Sequence, residues 1–133
     1  ELVFGDWSSD VCSSDLLEEV KAEKLAAIRA EKIRARDGGV FVNGVLFDSD
    51  GPARTAYTEL ALRLAANPAY VVDDWKASEG VWVRMDGEMF GALMAAGESH
   101  IAAVFAWQRA REAEVELAAT KAEVRALDLS FLP

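Results

Sequence analysis

Val40-Phe41-Val42-Asn43-Gly44-Val45-Leu46-Phe47 is the stretch that decides how this chain folds. Two runs of β-branched, aromatic and aliphatic residues flank an Asn-Gly pair. Asn and Gly tolerate the positive φ required at both central positions of a two-residue type I′ turn, so the stretch reads as a tight β-hairpin. A second β pair follows, Tyr70–Lys76 and Val81–Met85, separated by Ala77-Ser78-Glu79-Gly80. Trp75 and Trp82 are expected on its facing strands, where aromatic pairs stabilise a sheet. Two short hairpins bury little by themselves. The faces carrying Phe41, Leu46, Trp75 and Trp82 are therefore expected to lie against helices.

Helices occupy the rest. Over Leu17–Arg36, the apolar residues Leu17, Val20, Leu25, Ile28 and Ile33 recur among Glu, Lys and Arg, the pattern of an amphipathic helix. Spacings such as Glu18–Lys21 and Glu31–Arg34 suit i,i+3 pairing, and Gly38-Gly39 ends the helix. Asp48-Ser49-Asp50-Gly51-Pro52 leads into a second helix over Ala53–Ala66, stopped by Asn67-Pro68. Asp86 is the expected N-cap of the longest element, Gly87–Ala118.

Along that long helix Phe90, Leu93, Met94, Gly97, Ile101, Val104, Phe105 and Gln108 recur mostly at three and four residues, a seam with a roughly heptad rhythm. At 1.5 Å per residue it would reach about 48 Å, more than a compact domain of this size needs. The seam is therefore a candidate self-association surface. Thr120-Lys121-Ala122-Glu123 has capping-box spacing and opens a last short helix ending near Leu127. The expected fold class is α+β, in the order helix, β-hairpin, helix, β-hairpin, long helix, short C-terminal helix, as a single domain over residues 17–133.

Composition bounds the function. Hydrophobic residues make up 52% and charged residues 28% of the 133, a globular balance. The 23 acidic and 14 basic residues give a formal charge of −9, which opposes non-specific phosphate binding, so no nucleic-acid partner is expected. No apolar run approaches the roughly 18 residues needed to span a bilayer, so no membrane partner is expected either. A single Cys excludes an internal disulfide and a multi-cysteine zinc site, and a single His removes most conventional acid–base and metal machinery.

Residues 1–16, ELVFGDWSSDVCSSDL, differ from the remainder, with Ser, Asp and the one Cys crowded together. The acidic start and the lack of an apolar core exclude a signal peptide. The run Asp6–Leu16 resembles translated sequencing-adapter DNA. Residues 1–16 are accordingly expected to be a non-native, disordered leader that displaced the true N-terminus, with no function for Cys12.

Few residues suggest chemistry. Asp48-Ser49-Asp50-Gly51 opens like a calcium loop, but position six of an EF-hand loop would be Ala53 where Gly is required, although Glu59 fits position twelve. A turn and N-cap is the simpler reading. His100 lies beside the seam and lacks a second His or Cys partner beyond residue 16. The alternative function is a metal-dependent enzyme using Asp48, Asp50 and His100. Asp73 and Asp74 are strand neighbours that point to opposite faces. No phosphate loop and no GxSxG context occurs. No catalytic, cofactor or metal site is expected, and the chain is expected not to be an enzyme.

In sequence order, Glu31-Lys32-Ile33-Arg34, Gly38-Gly39-Val40, Val42-Asn43-Gly44, Asp48-Ser49-Asp50, Trp75-Lys76, Gly80, Trp82-Val83, His100 and Phe105 resemble a domain family of tailed phages and prophages, the domain of unknown function DUF4376. The resemblance runs from about Glu18 to Asp128, and Gly51-Pro52 departs from the family's more polar residues. Members of that family look like small proteins or C-terminal domains encoded among tail and tail-fibre genes. The resemblance implies a phage or prophage tail or tail-fibre accessory protein, a structural part or assembly factor. Its partners would be other tail or tail-fibre proteins or copies of itself, in the virion tail or in the host cytoplasm during assembly. It supplies no catalytic residue and no cofactor.

Overall fold

The computed structural model describes the backbone of residues 2–131 and the side chains of residues 16–131. Helix α1 (Leu2–Asp37) is followed by strands β1 (Val40–Val42) and β2 (Val45–Phe47), then helix α2 (Gly51–Ala66). Strands β3 (Val72–Ser78) and β4 (Val81–Met85), helix α3 (Gly87–Leu117) and helix α4 (Lys121–Ala126) complete the chain. The class is α+β, in the order expected. The backbone carries α1 back to Leu2, where a disordered leader up to Leu16 was expected. The side chains of residues 1–15, Cys12 among them, lie outside the described residues.

Both sheets are two-stranded and antiparallel. In the first, Val40 pairs with Phe47, Phe41 with Leu46 and Val42 with Val45. Asn43 has φ 52° and Gly44 φ 80°, the two positive values a type I′ turn requires. Strand alternation then sends Val40, Val42 and Phe47 inward and leaves Phe41 70% exposed. In the second sheet Trp75 pairs with Val83 and Lys76 with Trp82, with register shifts on either side. The two tryptophans are thus on facing strands but not opposite each other. Trp75 is half-buried, whereas Trp82 is 59% exposed.

Phe41 and Trp82 therefore do not lie against helices, contrary to expectation. The inward places are filled by Val40, Val42, Phe47, Ala77 and Met85, with Trp75 and Val83 partly buried against them. The β-prone pattern marks both residues of each alternating pair, and only the register decides which one faces in.

The chain divides into two compact units within the stretch read as one domain, and α1 and α3 each contribute to both. The unit Ile33–Val104 holds both hairpins and a core of Val40, Val42, Phe47, Tyr57, Leu60, Ala77, Met85 and Leu93. Its hairpins are joined where the Asp48 amide donates to the Ala77 carbonyl at 2.7 Å. The rings of Tyr57 and Trp75 stack at 6.0 Å. In the other unit, residues up to Lys32 and from Phe105 onward, the buried residues include Ile28, Val115, Val124 and Phe131. There Trp107 meets Phe131 edge to face at 6.0 Å, and the Lys21 and Lys24 ammonium groups donate to the carbonyls of Glu116 and Arg125. Thr120 caps α4 by accepting from the Glu123 amide at 3.1 Å, the expected capping box.

One expectation about α3 needs correcting. By length and composition the 31-residue helix is apolar enough to cross a membrane, with mean hydropathy 1.4 over its most apolar 18 residues. Alanine and glycine raise that average without making a continuous run of large apolar side chains. A mostly buried core helix of a soluble protein meets the same criterion, but only 11% of this stretch is buried.

Candidate functional site

The densest polar cluster in the unit Ile33–Val104 forms where α1 ends. The last carbonyls of a helix have no intrahelical partner and must find one elsewhere. The Gly39 amide, which could have closed back onto Ala35, instead donates to Ser49 Oγ at 2.8 Å. Gly39 holds φ 98°, and a Cβ there would meet the Phe47 carbonyl oxygen at 3.1 Å, so any other residue at this position would be strained. The Ala35 carbonyl accepts from His100 Nε2 at 2.7 Å, and the Arg36 carbonyl accepts from Ser49 Oγ at 2.7 Å. A carbonyl can only accept, so Nε2 carries the imidazole proton. Two side chains distant in sequence thus cap the C-terminus of α1.

Charge completes the junction. Asp37 Oδ1 accepts from Arg36 Nε at 2.8 Å and from Arg54 Nη1 at 2.7 Å, and Arg54 Nη1 also reaches the Ser49 carbonyl at 2.6 Å. Hydrogen bonding from Arg36, and then from Arg54, lowers the Asp37 carboxyl to about 2. The Tyr57 hydroxyl donates to the Asp48 carbonyl at 2.5 Å, and burial, with the Asp48 and Asp50 charges behind it, pushes Tyr57 up to about 12. Asp50 caps α2 through the Ala53 amide at 3.0 Å, as expected of the Asp-Ser-Asp turn.

Ser49 Oγ both donates and accepts, and Asp37 is held by two guanidinium groups. Asp48 is joined to the junction through its backbone, Asp50 through its cap and His100 through Ala35. Among the described residues no group of three or more His, Cys, Asp or Glu could hold a metal ion. These contacts terminate α1 and join α1, α2 and α3 within one unit. Arg36, Asp37, Ser49, Arg54 and Tyr57 were not singled out individually by their sequence pattern. The local signals were Gly38-Gly39, which ends α1, and the Asp-Ser-Asp turn that contains Ser49.

The seam of α3 turns toward the chain's own interior. Leu93 and Val104 are fully buried, and Phe90, Met94, Gly97, Ile101 and Gln108 are half-buried. Phe90 and Met94 lie against the core that contains Leu93. Phe105 alone of the eight is exposed, at 54%.

Comparison with curated proteins and with solved structures finds no match for the chain. The family described as Domain of unknown function (DUF4376) matches residues 19–130, most of the chain, and the protein belongs to that family.

Proposed function

We propose that this protein is a phage or prophage tail or tail-fibre accessory protein, a structural part or assembly factor acting through protein–protein contacts. The observation that carries the contact role is the outward placement of large apolar side chains, Phe41, Leu62, Trp82, Phe105 and Leu117. Aromatic side chains such as Phe41, Trp82 and Phe105 belong to the residue types enriched at protein interfaces. The tail setting rests on the family resemblance, and under this reading the protein would act in the virion tail or in the host cytoplasm during assembly. Under the same reading residues 6–16 derive from adapter DNA, and the leader is not part of the native protein.

Sequencing the source DNA through both ends of the gene tests the setting. Tail or tail-fibre genes beside it, with a native coding sequence in place of residues 1–16, are the expected result. A locus without phage genes removes the support for the tail role. Co-expression with the adjacent tail-fibre product tests the contact role, with co-elution expected and separate elution against it.

A further inference from the structure

Residues 127–131 follow α4 and belong to the unit formed by residues up to Lys32 and from Phe105 onward. Leu127 has φ −66° and ψ 127°, extended backbone. Burial then alternates: Leu127 and Leu129 are half-buried, Asp128 and Ser130 are exposed, and Phe131 is buried. Alternation of this kind turns every second side chain inward. The helices of the same unit carry groups that match the segment. Lys24, Ile28 and Glu31 recur at steps of four and three along one face of α1, and Trp107 and Arg111 stand four apart on α3. The Phe131 amide donates to Glu31 Oε2 at 3.3 Å, and its ring meets Trp107 edge to face. Asp128, at the other end, feels the charges of Arg111 and Lys24, and Arg111 also pairs with Glu114 at 2.7 Å. Seven helical residues from Lys24 to Glu31 rise about 10 Å, and three extended residues from Asp128 to Phe131 cover about the same distance. The segment thus lies in register with α1, its acid toward the cations at one end and its ring on Trp107 at the other. Trp107 Nε1 is buried and has no acceptor among the described residues. A buried donor left unpaired costs stability, so the chain's own segment fills this seat without satisfying it.

We propose that the seat is a peptide-binding site, closed by residues 127–131 and exchangeable for an extended segment of a partner protein with the same chemistry: an acidic residue three places before an aromatic one, and an acceptor for the Trp107 indole. The partner's acid takes the place of Asp128 before Lys24 and Arg111, its ring takes the place of Phe131, and its backbone amide donates to Glu31. The chain's own segment is tethered and competes at an effective concentration in roughly the millimolar range. The bond to Trp107 that it lacks is what favours exchange. The seat is independent of the tail role and of the exposed aromatic side chains.

Fluorescence anisotropy of a labelled peptide of residues 127–133, titrated with the full chain, tests the proposal. The Phe131→Ala chain, whose own segment has lost its ring, is expected to bind the peptide at least about tenfold more tightly than the wild-type chain, where the tethered segment competes. Peptides carrying Phe131→Ala or Asp128→Lys are expected to bind at least about tenfold more weakly than the native peptide. A folded Phe131→Ala chain that does not bind overturns the site, as does equal binding to the wild-type chain or by the altered peptides. Among peptides varied only at positions 129 and 130, some are expected to bind more tightly than the native one and to lose that advantage when the chain also carries Trp107→Phe. A native peptide that none surpasses means a permanent clasp and overturns the exchange. Hydrogen exchange of the wild-type chain needs no variant to fold. The Phe131 amide is expected to exchange at least about tenfold faster than the Ile28 amide, through local opening of the segment. Exchange of both only with global unfolding overturns the proposal.

Discussion

His100 Nε2 lies 2.7 Å from the carbonyl oxygen of Ala35, so the only histidine in the chain closes the C-terminus of α1 from a residue 65 positions away. Ser49 performs the same service for Arg36, from thirteen positions away. The resulting junction is made of ordinary residues whose roles exist only once the helices are in place.

Removing the Ser49 hydroxyl deprives both the Gly39 amide and the Arg36 carbonyl of their partner. Ser49→Ala is expected to cost about 1–3 kcal/mol, the penalty of partly buried polar groups left unpaired. Urea unfolding followed by circular dichroism measures it. Unchanged stability would mean that water satisfies both groups.

Asp37 makes stability depend on acidity. Its carboxyl falls from the ordinary 3.8 to about 2 in the folded state. The folded protein thus holds the charged form more tightly than the unfolded chain does. The stabilisation is present above about pH 4 and is lost as pH falls toward 2. Asp37→Asn is expected to unfold at lower urea than the wild type at pH 7, with the gap closing between pH 4 and pH 2. A gap constant across that window would contradict the junction.

Gly44 tests the hairpin directly. It holds φ 80° with no atom near a would-be Cβ, so substitution there meets only backbone strain. Gly44→Val is expected to cost about 1–3 kcal/mol, read as a lower thermal midpoint. Asn43→Gly, which keeps positive φ accessible, is expected to leave the midpoint nearly unchanged.

Leu93 and Trp82 separate interior from surface. Leu93 is 1% exposed, and Leu93→Ala is expected to cost about 2–5 kcal/mol through lost burial and the cavity left behind. Trp82→Ala, on the outward face of β4, is expected to fall within about 0.5 kcal/mol of the wild type. Denaturant midpoints compare the two. A larger cost at Trp82 than at Leu93 would contradict the outward placement of Trp82 on β4.

Much of this architecture was legible along the chain, because its signals act over a few residues. Asn43-Gly44 specifies a turn by backbone sterics, Asp50 and Thr120 cap helices within three residues, and Gly38-Gly39 ends one. Those local rules determined the order of elements and the α+β class. They did not determine which side of each element became interior. Phe41 and Val42 are both β-prone neighbours, yet register buries one and exposes the other. The seam of α3 looked like a surface for a partner, and folding turned Leu93 and Val104 into the chain's own core. The Asp37–Arg54 pair and the His100–Ala35 bond left no trace in the sequence. A local pattern is fixed by atoms within a turn or two, whereas a hydrogen bond across 65 residues depends on how whole helices come together. By itself the sequence set the elements and their order, and the tertiary structure decided their faces and the junction that joins them.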